Sequence, residues 1–173
     1  IGKTGLGVHL AKKYCTHVVS CDSRQIYKEM EIGTAKPTIK EMDGIPHHFV
    51  DSQSIFDRYT AGMFEKDALA TLDDLFKEKN VVFAVGGSGL YVNALAFGLE
   101  DIPYNEAVRN EINAQWKSDG LDALVDRLKI IDPDYAAIAD LKNPRRVIRG
   151  LEVFQTTGKK YSDWRNTKKV RPF

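Results

Sequence analysis

The sequence predicts an α/β fold, a parallel sheet flanked by helices, followed by an all-helical insertion. Three observations lead there. The short runs Val18-Val19 and Val81–Val85 have the length and β-branched content of buried strands. Glycine-rich turns open the neighbouring helical patterns, Gly2-Lys3-Thr4 in one case and Gly86-Gly87-Ser88-Gly89 in the other. Past Pro103 the strand signals stop and only helical spacing recurs. The reading divides the chain into an α/β core over residues 1–103, a helical insert over 104–160, and a basic segment over 161–173 leading back to the core.

The elements follow in order. Gly2-Lys3-Thr4 has the residues of the closing half of a phosphate-binding loop, which makes the core P-loop-type. In such a loop backbone N–H groups and the helix amino end hold phosphate oxygens, the lysine reaches the outer phosphates, and the hydroxyl meets magnesium. The helix after it is expected over Gly5–Tyr14, with Leu6, Leu10 and Ala11 at helical spacing. Val18-Val19 then ends near Asp22-Ser23-Arg24-Gln25, at the carboxyl edge of the sheet where open α/β folds bind ligands. Ile32–Pro37 is a turn-rich loop on that edge. The run His47–Asp51 reads as a strand whose adjacent histidines face opposite ways, so a shared metal is not expected.

Thr60 is placed to cap a helix from Ala61 to about Lys79, with Phe64, Ala68, Leu72, Leu75 and Phe76 on its core face. After the strand Val81–Val85, Ser88 stands at a helix start, where its hydroxyl can cap or bind. In the insert, Val108, Ile112 and Trp116 precede a break at Asp119-Gly120, and Leu121, Leu124, Val125 and Leu128 form the next apolar face. The third helix has Asn143 as cap, Pro144 in its first turn and Gly158 just past its end. Arg145, Arg146 and Arg149 are spaced to share one surface patch, and pairing of one of them with Glu152 still leaves a basic surplus.

The net charge of +1 hides a division, because residues 142–173 hold ten basic and two acidic side chains. A basic segment beside an acidic body suggests a polyanionic partner, and Tyr161 and Trp164 among the basic residues suit RNA. No apolar run approaches the roughly 20 residues of a membrane span, so no membrane partner is expected. Two cysteines, Cys15 and Cys21, fit a reducing compartment, and the expected location is cytoplasmic. Because the chain opens at Ile1 in the middle of a motif, an organellar leader stays open. A monomer is expected.

Read in order, GKT (2–4), DSRQIY (22–27), IGTAKP (32–37), HHFVD (47–51), VGGSGLY (85–91) and NPRRVIRGLEVFQTTGK (143–159) resemble the tRNA dimethylallyltransferase family over its amino-terminal portion. The resemblance implies transfer of a dimethylallyl group from dimethylallyl diphosphate to the N6 amine of the adenosine immediately 3′ of the tRNA anticodon. It implies Asp22 as general base and Ser88 as a hydroxyl beside the substrate. Gly2, Lys3 and Thr4 would hold the diphosphate, with Mg2+ on Thr4. The anticodon stem-loop would meet Asp22, Ser23, Arg24, Gln25 and Ser88, with Arg109 and the stretch Arg145, Arg146, Val147, Ile148 and Arg149 in the insert. A crevice between core and insert would receive an extruded base. The rival readings are an adenylate isopentenyltransferase, a P-loop nucleotide kinase and a non-catalytic RNA-binding module.

Overall fold

The computed structural model describes residues 2–99, 102–164, 170, 171 and 173. Two compact units emerge, Ile1–Leu99 with Lys169–Phe173 and, separately, Glu100–Lys168.

The first unit is built on a parallel three-stranded sheet, β1 (Val18–Ser20) lying between β2 (His47–His48) and β3 (Phe83–Val85). Val18 pairs with His47 on one side and Phe83 on the other, and Ser20 reaches Val85. Parallel neighbours need crossovers, and helices supply them here. Helix α1 (Lys3–Lys13) precedes β1, α2 (Ile39–Met42) precedes β2, α3 (Ala61–Leu75) precedes β3, and α4 (Gly89–Phe97) follows it. As the central strand, β1 is buried throughout. The core joins Val19, Cys21 and Ile26 to Phe64, Ala68 and Leu72 of α3 and Tyr91 and Leu95 of α4. The rings of Phe64 and Tyr91 stack at 4.4 Å.

Local chemistry explains the element ends. Thr60 caps α3 by accepting the Met63 N–H, as its position predicts. The helix itself stops at Leu75, and the chain continues to Lys79 as turns. In α1 the buried residues are Gly7, Val8 and Ala11, whereas Leu6 is 60% exposed. A Cβ on Gly7 would stand 2.8 Å from a Val85 methyl, so this glycine lets α1 lie close against β3.

Two strand expectations are corrected. The run His47–Asp51 is extended only at His47–His48, because Phe49 (φ 63°) and Asp51 (φ 52°) turn left-handed. The turned segment sends the N–H groups of Asp51, Ser52 and Gln53 to the carbonyls of Gln25 and Ile26. Nor is Val81–Val85 fully buried, since only Phe83–Val85 is strand and its Ala84 is exposed. Among the described strands β3 has a partner on one side only, so a continuous apolar run here marks an edge strand.

Glu65, buried on α3, joins two distant segments of this unit. One carboxylate oxygen accepts the Leu99 N–H at 2.9 Å, and the other meets Arg171 Nη2 at 2.6 Å. Arg171 also donates to the carbonyls of Ala94 and Leu95 at the end of α4.

The second unit is helical. It contains α5 (Glu106–Ile131), α6 (Pro133–Ala136), α7 (Pro144–Thr157) and α8 (Tyr161–Trp164). Gly120 (φ 84°, ψ 175°) is not helical, so α5 is two helices joined at the expected break. Asn143 caps α7 by accepting the Arg145 N–H, Pro144 sits in the first turn, and Gly158 (φ 71°) ends it. The core gathers Ile112, Leu124, Leu128, Tyr135, Val147, Ile148 and Leu151. Asp132, fully buried, accepts the Tyr135 N–H at one oxygen and the Ser162 N–H at the other. Among the described residues no helix is long and apolar enough to cross a membrane.

Candidate active site

The ladder between β1 and β3 continues past the strands. Cys21 N–H donates to Val85 O at 2.8 Å, and Cys21 O accepts the Ser88 N–H at 3.1 Å. This contact demands glycine, because a Cβ on Gly86 would lie 2.1 Å from Cys21 O. The next glycine makes room for the acid: a Cβ on Gly87 would stand 3.1 Å from Asp22 Oδ2. Asp22 therefore leaves the sheet with its carboxylate over a backbone that has no side chain.

Its other oxygen is fixed locally. Asp22 Oδ1 accepts the N–H groups of Arg24 (2.9 Å) and Gln25 (3.3 Å), the turn that short acidic side chains favour. The carboxylate is half-buried, between a dry strand end and the exposed Arg24. Such a group keeps one oxygen for a ligand while the other holds it in place.

Ser88 occupies the cap position of α4 but makes no capping bond. Its hydroxyl accepts the Ser23 N–H at 2.8 Å and donates to Ser23 Oγ at 2.9 Å. Ser23 and Ser88 are thus one hydroxyl pair, joined across 65 residues of sequence. Gln25 is held at both ends, its oxygen accepting from Ser20 Oγ and its amide donating to the carbonyls of Thr34 and Ala35. Lys36, in the loop expected to meet substrate, is tied inward instead: its ammonium donates to Tyr27 O at 2.8 Å and pairs with Asp51.

Gly2, Lys3 and Thr4 stand at the start of α1, and Thr4 approaches the end of β1. Gly2 (φ 81°) starts α1 with no side-chain cap, and Lys3 is exposed. Thr4 lines one pocket with Val18, Ser20, Gln25, Pro37, His47 and Val85. The pocket brings the first turn of α1 to the end of β1, which joins Thr4 to the Asp22–Gln25 turn through Gln25. Three of these neighbours, Ser20, Pro37 and His47, were not read as site residues from sequence. Ser20 had a signal, being the last strand residue before Asp22. His47 had none, because its place follows from register with Val18.

Two groups nearby have displaced acidities. Burial pushes the Cys21 thiol up to about 12, so it stays a protonated core residue. Tyr91 is raised by burial, then by Tyr27 and Asp22, which locates its phenol within the electrostatic reach of the carboxylate.

In the second unit the predicted contacts separate. Arg145 and Arg146 are exposed on the first turn of α7. Arg149 and Arg109 are half-buried and both pair with Glu152, each at 3.0 Å. Val147 and Ile148 are 0% and 3% exposed, so their side chains belong to the core and offer no surface to RNA. Of the basic segment, Arg165 and Lys168 lie outside the described residues with Lys169, while Arg171 is internal to the first unit. Lys159 stands over the Trp164 ring at 5.7 Å.

Comparison with known proteins places the chain among relatives. A family model described as IPP transferase matches residues 25–173. The tRNA dimethylallyltransferase of Cytophaga hutchinsonii is 48% identical over 174 residues, covering 99% of this chain and 57% of that protein. The tRNA dimethylallyltransferase 1 of Bacteroides fragilis is 42% identical, covering 100% and 58% respectively. This chain thus spans a little over half the length of these relatives. The full-length tRNA isopentenylpyrophosphate transferase of Bacillus halodurans matches with a TM-score of 0.56 at 43% identity, over 92% of this chain and 54% of that one. A eukaryotic dimethylallyltransferase, in a structure described as acting on tRNA, matches with a TM-score of 0.76 at 29% identity, over 98% and 42%. With a family model matching most of its length and relatives this similar along all of it, the chain belongs to the IPP transferase family.

Proposed function

We propose that the protein carrying this chain transfers the dimethylallyl group of dimethylallyl diphosphate to the N6 amine of the adenosine 3′-adjacent to the anticodon in tRNA, releasing diphosphate. The observation that carries the reading is the Asp22 carboxylate, anchored at Oδ1 and set over Gly87, in the unit where Thr4 and Gln25 share a pocket. An exocyclic adenine amine is a weak nucleophile, because its lone pair is delocalised into the ring. It improves when a carboxylate takes its proton as the bond forms. One C–N bond forms, the allylic C–O bond breaks with its electron pair leaving on diphosphate, and the N6 proton passes to Asp22.

The departing diphosphate needs positive charge. In this reading the N–H groups at the start of α1, the Lys3 ammonium and the Thr4 hydroxyl face it. The Thr4 pocket has hydroxyl and amide groups but no carboxylate lining it. That set fits a magnesium ion arriving on the diphosphate, with Thr4 as its protein ligand. Such an ion would neutralise the leaving group. The Ser23–Ser88 pair and Gln25 orient the target nucleotide, and Arg24 meets its backbone. Arg145 and Arg146, with the arginines around Glu152, suit RNA phosphates rather than a mononucleotide, so association weakens as salt rises.

The test offers the full-length protein dimethylallyl diphosphate with an anticodon stem-loop RNA or with AMP, followed by nucleoside analysis. The reading expects N6-dimethylallyladenosine in the RNA alone, with one diphosphate released per transfer. Prenylated AMP would establish the adenylate branch. Phosphoryl transfer in a parallel reaction supplied with ATP would establish a kinase, and RNA binding without transfer a non-catalytic module.

A further inference from the structure

Glu152 is a carboxylate with no access to water, on the helix that also carries Arg145, Arg146 and Arg149. It is 0% exposed, yet both its oxygens carry a cation: Arg149 Nη1, one turn earlier on α7, lies 3.0 Å from Oε1, and Arg109 Nη1, from α5, lies 3.0 Å from Oε2. A buried carboxylate stays ionised only when it is paired, and one arginine would suffice for charge. Two overcompensate, so the cluster carries a net +1. The arginine side chains are 33% and 28% exposed, so their forks are held from below and reach solvent above. Each fork has five N–H donors and commits one terminal nitrogen to Glu152. Arg109 is braced again by the Tyr104 ring, whose centroid is 6.0 Å from its guanidinium carbon.

A bridge of this kind sets the spacing and tilt of two planar cations before any ligand arrives. Free arginine side chains lose rotamer freedom when they bind, and side chains already fixed lose less. The ligand that matches two guanidiniums with a net positive charge is an anion with several oxygens, above all a phosphate. We propose that Glu152 is a positioning residue that presents Arg109 and Arg149 as a preformed clamp for one RNA phosphodiester. The proposal rests on the RNA reading given above.

The sign of one mutation separates positioning from simple charge. Glu152→Gln removes a negative charge, so Coulomb attraction alone predicts tighter RNA binding. The amide has one acceptor where the carboxylate had two, so one arginine is released. Positioning then predicts weaker binding, roughly tenfold for a lost charge-assisted contact. The experiment measures stem-loop RNA affinity of the full-length protein against salt, for Glu152→Gln, Arg149→Lys and the pair Arg145→Ala, Arg146→Ala. Arg149→Lys leaves Glu152 paired and the charge unchanged, so it stays informative if the glutamine variant does not fold.

The expected result is weaker binding in both Glu152→Gln and Arg149→Lys, with the salt slope reduced by about one phosphate contact. A purely structural defect would lower the fraction of competent protein and leave that slope alone. If Arg149→Lys binds as the wild type, or Glu152→Gln binds as tightly or more tightly, positioning is overturned. Weakening confined to the Arg145, Arg146 pair would keep the RNA reading and remove the clamp. No effect from any of the substitutions would remove both.

Discussion

Asp22 depends on residues that are far from it in sequence. Gly86 allows the ladder to run past the strands, and Gly87 leaves the carboxylate its space. Gly86→Ala would push a methyl group to within 2.1 Å of Cys21 O, a backbone atom that cannot move without breaking two hydrogen bonds. We expect it to lower stability by about 3 kcal/mol and to abolish transfer. Gly89→Ala is the matched control, since its Cβ meets nothing within 4 Å. Denaturant melts and transfer assays of the two variants check this, and a wild-type Gly86→Ala would contradict the packing described. The place of Asp22 just past β1 was legible in sequence, because the β-branched Val18-Val19 stands directly before it. The Ser23–Ser88 pair was not, because nothing in periodicity reveals which hydroxyls a parallel crossover brings together.

At the scale of elements, legibility followed the range of the forces. The ends of α7 were readable from Asn143, Pro144 and Gly158, each acting within a turn of itself. The length of β2 was not, since Phe49 and Asp51 take left-handed φ to meet Gln25 and Ile26. The exposure of β3 was equally hidden, because strand order decides it. The short β2 carries a pH-sensitive contact. His48 Nε2 lies 2.9 Å from His17 Nδ1, an arrangement that needs one proton between them. Burial, then His17 and His47, holds His48 below its ordinary value of 6.5. The unfolded chain therefore takes up the proton first. This contribution to stability is complete above pH 6.5 and is lost as pH falls through the lower folded value. Urea midpoints are expected to fall between pH about 7.5 and about 5.5, and His48→Gln should flatten that fall. An equally steep fall in the variant would contradict the assignment.

For the whole molecule, the division of charge read from sequence resolves into different roles for different arginines. Arg171 closes the first unit on Glu65, Arg109 and Arg149 share Glu152, and Arg145 and Arg146 are exposed. Composition counts these alike, and only folding distinguishes them. In the proposed reading, binding falls to the all-helical unit with its basic side chains and chemistry to the α/β unit with the acid. The proposed chemistry rests on proton removal by Asp22. The most direct measurement is the single-turnover rate of prenyl transfer to saturating tRNA by the full-length protein and its Asp22→Asn variant, with tRNA affinity measured in parallel. The account predicts a rate lower by about 10²–10⁴-fold with affinity nearly unchanged. A variant that transfers at the wild-type rate would contradict it.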